Sequence, residues 1–464
     1  MDSRSLKFVA EACAGELRSG SPGLLVRRIC SDSRRAQAGD LFFAIAGDRF
    51  DGHDFLADAA GKGVAAVVAA RERIPPGLPC AVIAVDNPRP ALGRLAERYR
   101  ADFKLPVIAV GGSNGKTTTK ELVASVLRQK LRTLWSEASF NNDIGVPLTL
   151  LGLEPDHEAA VVEIGTNHPG ELAPLVRMAR PGLGIITSIG REHLEFFGDV
   201  AGVAAEEGWL AELLPADGRL VVNGDSEWTD EIARRTRATV IRAGLGAGND
   251  WRATRIRMDA QGMRFWVETR RSEYAGEYRI SLIGRHQVVN ALFALAIGAE
   301  LKVPRADAEK GLVECRPAKM RMQLWDWNGA RVLDDAYNAN ADSMLAALET
   351  LREMPCPGRR AAVLGDMAEL GAQTRPAHEE AGRRAAQLGV DRLFAVGKMA
   401  AVTAGAARAA GLAAADEFED AAAAADAVKA YLRAGDLLLL KASRATKLER
   451  LAEALRAADA GGKT

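Results

Sequence analysis

The run Gly111-Gly112-Ser113-Asn114-Gly115-Lys116-Thr117-Thr118-Thr119 limits what this chain can fold into more than any other segment. It follows an apolar stretch, Val107–Val110, that reads as a buried strand. It precedes Leu122, Val123, Val126 and Leu127, which share one face at helical spacing, so a helix is predicted from about Thr117 to Lys130. Glycines let a backbone wrap closely around an anion, and the amides of a helix N-terminus favour negative charge. In this setting Lys116 reaches the β- and γ-phosphates of a nucleotide, and the Thr117 hydroxyl ligates Mg²⁺. One departure stands out: the usual pattern has a glycine where Val110 lies.

The rest of the chain reads as three α/β blocks, in keeping with its 464 residues. The first, residues 1–98, has apolar runs at Leu41–Ile45, Ala65–Val68 and Ala81–Val85, then a helical stretch, Pro90–Arg100. The second, 99–314, adds strands at Ala160–Ile164 and Leu183–Ile189. Strands alternating with helices predict a mostly parallel sheet covered on both faces. Within it, Thr254–Met258 and Met263–Thr269 alternate in polarity and predict an antiparallel hairpin. The third block, 315–464, repeats the alternation at Arg331–Asp335, Ala361–Gly365, Leu393–Val396 and Leu437–Leu440. Its alanine-rich stretch around 404–430 reads as ordinary helix.

Several classes of function are disfavoured. Lys plus Arg and Asp plus Glu each total 61, so no charge surplus points to nucleic acid. No stretch approaches a membrane span, and the N-terminus lacks an apolar signal core; a cytoplasmic protein without membrane insertion is expected. Cys13, Cys30, Cys80, Cys315 and Cys356 are widely spaced and read as reduced thiols.

Ligands of open α/β sheets bind beyond the carboxyl ends of the strands. Thr117, Glu163 and His193 all fall at such ends in the second block. A carboxylate beside a triphosphate suits Mg²⁺; an imidazole is the less expected partner, because Mg²⁺ prefers oxygen.

With these residues in hand, the sequence resembles the Mur ligases, ATP-dependent amide-forming enzymes of peptidoglycan synthesis, whose phosphate loop also lacks the early glycine. Further segments resemble the branch that adds D-alanyl-D-alanine to UDP-N-acetylmuramoyl-tripeptide. They are Ser139–Thr149, Asn167–Glu171, Asp334–Asn340, Leu364–Gly371 with His378, Lys441–Arg444, and Asp32–Arg34 with Gly39–Ala44. Asp86-Asn87-Pro88-Arg89 matches a motif of a sister ligase but in the wrong block, and is read as coincidence.

The resemblance implies an N-terminal α/β domain binding the UDP moiety, a central phosphate-loop ATPase domain and a C-terminal Rossmann-like domain for the dipeptide. It implies ATP and Mg²⁺ as cofactors, UDP-N-acetylmuramoyl-tripeptide and D-alanyl-D-alanine as substrates, and a monomer with hinge motion between blocks. Lys116, Glu163 and His193 would form the catalytic set. Gly112, Ser113, Asn114, Gly115, Lys116, Thr117 and Thr118 would bind ATP, with Asn290 at adenine, Asp335 at ribose and Arg321 at the phosphates. Ser31, Asp32, Ser33 and Arg34 would hold UDP, and Asn141 and Asn142 would orient the sugar–peptide. Asp366, Glu369, His378 and Ser443 would meet the dipeptide. A sister ligase with another amine or acceptor, or a nucleotide-binding regulator, are the alternatives; amine-dependent phosphate release separates them.

The family usually carries a lysine, converted to a carbamate, about fourteen residues after the metal-site histidine; here that register holds Glu207. Glu207 is therefore expected beside Thr117, Glu163 and His193 as a metal ligand, supplying the same charge without dissolved CO₂. Gln287, Met320 and Ala442 are smaller departures from the family pattern.

Overall fold

The computed structural model describes residues 1–47, 50–259 and 261–461. Its strands form three larger sheets, one per stretch of sequence.

The first sheet has the order Glu16–Ser19, Ala81–Val85, Ala66–Ala70, Leu41–Phe43, Ile29–Cys30, parallel except for its first member. The helix Pro88–Arg100 leads out of it. Asn87 caps that helix through the Arg89 amide, and Arg89 pairs with Asp143, so the Asp-Asn-Pro-Arg string works as a helix start. Tyr99 and Arg100, at the helix end, fasten the block to the next: the Tyr99 hydroxyl donates to Leu153 O at 2.6 Å and Arg100 Nε to Ala179 O at 3.0 Å. One continuous apolar core runs from Leu6 and Val9 through Leu92 and Leu95 to Val107, Val162 and Leu210. The first two blocks thus share their interior.

The second sheet is nine-stranded, and its parallel part centres on Val107–Gly111. That strand lies between Leu183–Ile186 and Ala159–Glu163, which come from opposite sides of the sheet order. Such a reversal opens a crevice at the carboxyl ends of the strands. Leu183–Ile186 stops three residues short of the predicted Ile189, because Thr187 and Ser188 turn away to brace the phosphate loop. Arg219–Asn223 and Thr239–Gly244, not foreseen from the sequence, continue the parallel set. The predicted hairpin is Trp251–Asp259 with Gly262–Thr269, bulged between Thr254 and Arg257 and extended by Gly276–Ile280. Ala260 lies outside the described residues.

The third sheet has the order Gln323–Trp327, Ala330–Asp335, Leu437–Lys441, Arg360–Gly365, Arg392–Val396, Ala415–Phe418, and only the first pair is antiparallel. The alanine-rich stretch holds the helices Ala400–Ala409 and Ala421–Tyr431 with the edge strand Ala415–Phe418 between them. Among the described residues no helix is long and apolar enough to cross a membrane. The five cysteines are free.

Candidate active site

The loop after Val107–Gly111 is shaped by two glycines whose backbones a side chain would strain. Gly112 has φ +107°, and a Cβ there would fall 2.5 Å from Thr187 Oγ1; Gly115 has φ +87°, and its Cβ would fall 2.8 Å from Asn290 Oδ1. The neighbouring segment pins the loop. Ser188 O accepts from Ser113 N (2.8 Å), Ser188 Oγ from Asn114 N (2.9 Å), and Ser113 Oγ from Gly190 N (2.9 Å). The helix Lys116–Leu127 starts at once after Gly115, so its free amides face the same space. Lys116 folds over the loop: its Nζ donates to Gly112 O at 2.5 Å and Ser113 O at 3.1 Å, with Glu192 Oε2 at 3.5 Å. The ammonium is therefore already positioned above the cradle.

A cleft of about 300 Å³ opens in front of it, lined by Lys116, Thr117, Asn141, Asn142, Glu163 and His193 among others. Glu163, only 1% exposed, takes the Thr117 hydroxyl (3.1 Å) and Asn141 Nδ2 (3.0 Å) on Oε1. Its Oε2 is buried and has no hydrogen-bond partner among the described residues. A carboxylate oxygen without a donor, next to a threonine hydroxyl, is a donor set that fits a hard divalent cation such as Mg²⁺. His193 begins a short helix in the left-handed backbone conformation, φ +51°. Its Nδ1 is hydrogen-bonded to Glu369 Oε2, and its Nε2 lies 3.9 Å from Glu192 Oε2. Glu192 went unremarked in the sequence; burial raises its pKa, against the pull of Lys116.

Glu207 departs from the expectation. It does not line the cleft: it lies beneath the phosphate loop, fully buried, with Oε2 accepting the Gly112 amide at 2.7 Å. The glutamate arm is shorter than a carbamylated lysine, and the loop amide is the first donor it reaches. Burial raises its pKa to about 7, opposed by Lys116 and aided by Glu192. Glu206 is used elsewhere, on the amides of Gly170 and Leu172.

A second pocket, about 350 Å³, continues from the first; both are lined by Asn114, Gly115, Arg321, Ser343 and Lys441. Thr118, Asn290 and Asp335 also line it. Asn290 is well inside the helix Arg285–Glu300, so it is no helix-start cap; its Nδ2 donates to Gln287 Oε1 at 2.9 Å. Asp335, at the carboxyl end of its strand, pairs with buried Lys441 at 2.5 Å and accepts Met322 N at 3.1 Å. The Arg321 guanidinium stacks over the Tyr337 ring at 4.3 Å.

Ser31, Asp32, Ser33 and Arg34 line a separate cavity of about 650 Å³ in the first block, with Phe42, Phe50 and Phe55. Asp32 caps the short turn Ser33–Arg35 and pairs with the Arg34 guanidinium at 2.8 Å. The aromatic wall had no sequence signal, because its members are separated by polar turns.

The four residues expected at the dipeptide do not gather on either cleft. Asp366 accepts the amides of Lys398 and Met399, both at 2.9 Å. His378, 1% exposed, accepts Met367 N on Nε2 at 3.0 Å and donates Nδ1–H to Thr374 O at 2.6 Å. Both shape their own loops in this structure, and burial lowers the His378 pKa. Ser443 Oγ is buried and unpartnered among the described residues, and Glu369 is engaged with His193.

Fold and clefts together define a phosphate-loop nucleotide-binding protein of three α/β blocks. Three family models match it in order: "Mur ligase family, catalytic domain" over residues 26–100, "Mur ligase middle domain" over 110–298, and "Mur ligase, glutamate ligase domain" over 320–444. The UDP-N-acetylmuramoyl-tripeptide–D-alanyl-D-alanine ligase of Escherichia coli K12 is 36% identical over 406 residues, 86% of this chain and 87% of that one. The enzyme of the same name from Bacillus subtilis 168 is 34% identical over 458 residues, 98% and 99% of the two chains. A crystal structure of MurF from Acinetobacter baumannii matches with TM-score 0.88 and 31% identity, over 98% of this chain and 99% of that one. MurF ligase from Thermotoga maritima in complex with ADP matches with TM-score 0.79 and 26% identity, over 93% and 97%. The chain belongs to the Mur ligase family.

Proposed function

We propose that this chain joins D-alanyl-D-alanine to UDP-N-acetylmuramoyl-tripeptide at the expense of ATP, forming the pentapeptide precursor of peptidoglycan, ADP and phosphate. The observation that carries this reading is the continuity of two clefts across the phosphate loop. One is lined by Asn290 and Asp335, the other by Lys116, Thr117, Glu163 and Asn141. A nucleotide spanning them has its base and ribose on one side and its terminal phosphate on the other, facing an acceptor carboxylate.

In the first step a terminal carboxylate oxygen of the tripeptide attacks the γ-phosphorus, and ADP leaves. In the second, the free amine of the dipeptide attacks the resulting acyl phosphate, loses a proton, and phosphate leaves. Two anions meet in the first step. Lys116 lowers that repulsion, and the amides of Gly115 and Lys116, left free at the helix start, bind the phosphate oxygens of the nucleotide. When bound, Mg²⁺ supplies further charge neutralisation; Thr117 and Glu163 hold it, with His193 alongside. Asn141 keeps Glu163 turned toward Thr117, and Arg321 approaches the phosphates from the third block. Residues 1–98 bind the UDP moiety through Ser31 to Arg34, 99–314 bind ATP, and 315–464 bind the dipeptide. The protein acts as a cytoplasmic monomer.

Incubating UDP-muramoyl-tripeptide, ATP and Mg²⁺ with and without D-alanyl-D-alanine, and weighing the product, tests the reading. Dipeptide-dependent formation of the pentapeptide is the expected result. Turnover with another amine and none with this one refutes it.

A further inference from the structure

The imidazole that faces the metal cleft is gripped by another block. His193 follows the second-block strand Leu183–Ile186, and its Nδ1 is hydrogen-bonded to Oε2 of Glu369, which follows the third-block strand Arg360–Gly365. Both residues lie in the left-handed region, at φ +51° and +60°. A residue with a side chain stays there only where its surroundings enforce it, and such places cluster at functional sites. Here the enforcement is visible. The Glu195 amide donates to Glu369 O at 3.0 Å. Gly371 packs so tightly that a Cβ on it would lie 3.1 Å from Glu195 Cα. Arg191 Nε reaches Asp342 and its Nη1 reaches Glu380, both at 2.7 Å.

A carboxylate only accepts, so the proton of the pair resides on Nδ1 and the Nε2 lone pair is left to the cleft. An imidazole whose far nitrogen is held by a carboxylate is oriented and made more basic toward a cation. We propose that Glu369 is a positioning residue for the metal site: it fixes the tautomer and direction of His193, and because it comes from the third block, the site is complete only when that block is docked. This inference rests on the proposed function for the assignment of His193 to the metal. It replaces the expectation that Glu369 contacts the dipeptide.

The test uses the full chain and two readouts. Mn²⁺ affinity of the ADP-bound protein, by electron paramagnetic resonance, needs no turnover; KM for Mg²⁺ and for D-alanyl-D-alanine follow from phosphate release. Glu369→Ala is expected to weaken Mn²⁺ binding by about 10-fold or more and to raise KM for Mg²⁺ in parallel, with KM for the dipeptide unchanged. Glu369→Gln, whose amide oxygen still accepts the Nδ1 proton, recovers most of the affinity. Glu369→Asp, with the same charge on a shorter arm, does not. In a His193→Ala background, Glu369→Ala adds no further loss. Wild-type Mn²⁺ affinity in Glu369→Ala, a shift in dipeptide KM alone, or additive losses in the double variant would each overturn the proposal. Wild-type protein that binds ADP and Mn²⁺ without dipeptide-dependent turnover would instead sink the proposed function, and would leave the metal measurement intact.

Discussion

Replacing Glu207 by glutamine should make the protein more stable, and more so as pH rises. The carboxyl is fully buried beneath the phosphate loop, and burial lifts its pKa from 4.5 to about 7. Below about pH 4.5 the group is neutral folded and unfolded, and contributes nothing. Between 4.5 and 7 the folded protein keeps a proton that the unfolded chain releases, so stability falls as pH rises through that window. Above 7 the full cost stands. The span corresponds to about 3 kcal/mol. Glutamine is neutral throughout, and its carbonyl oxygen can still accept the Gly112 amide. The stability gap in favour of the variant should widen from roughly 1 kcal/mol near pH 5.5 to roughly 3 kcal/mol near pH 8. For a block of this size that is a relative gain of about 6 °C in unfolding midpoint between the two conditions. Thermal unfolding of both proteins across that range measures it. A gap that does not change with pH, or a variant weaker than wild type at pH 8, refutes the reasoning. Because Glu207 does not line the cleft and spends Oε2 on the Gly112 amide, the variant should also keep its Mg²⁺ dependence, against what the register alone suggests.

Other substitutions probe the remaining parts. Lys116→Ala should lower kcat at least 100-fold while the protein stays folded, because the charge over the loop acts on the transferred phosphate; phosphate release at saturating ATP measures this. Asp335→Ala leaves the buried Lys441 ammonium unpaired and should cost about 3 kcal/mol in urea unfolding, together with a raised KM for ATP. Tyr99→Phe removes a hydroxyl that donates to Leu153 O and accepts Asp2 N. It should cost about 2 kcal/mol, read as a lower unfolding midpoint with kcat unchanged.

Contiguous features were legible in the sequence; those assembled across long separations were not. The loop from Gly111 to Thr119 carries its geometry in one run, and Glu163 could be placed at a strand end from its apolar flank alone. The place of Glu207 beneath the loop was not legible, because register fixes a position along a helix and not what its side chain meets. The helix Val200–Glu212 buries one broad face, and Glu207 lies on it among Val203, Ala204, Leu210 and Ala211, so the carboxylate turns inward with the apolar residues. The pairing of His193 with Glu369 joins residues 176 apart, and no local pattern announces it. The Asp335–Lys441 pair was half visible, since both sit in quoted motifs, but their meeting depends on parallel registration of Ala330–Asp335 with Leu437–Lys441. Short strands such as Arg219–Asn223 escaped because three apolar residues between polar ends satisfy many local structures.

The continuous interior shared by the first two blocks bears on how the molecule works as a machine. Those blocks form a chassis, since parting them would expose the apolar surface around Leu92, Val107 and Val162 to water. On the cleft side the third block is moored differently, by Arg191 with Asp342 and Glu380, Asn340 with Asn114, and the hydroxyls of Ser139 and Tyr337. Water and dissolved ions compete well for such moorings. Added salt should therefore loosen the third block's hold on the cleft long before it troubles the chassis, and rate should fade with ionic strength while the melting curve barely stirs.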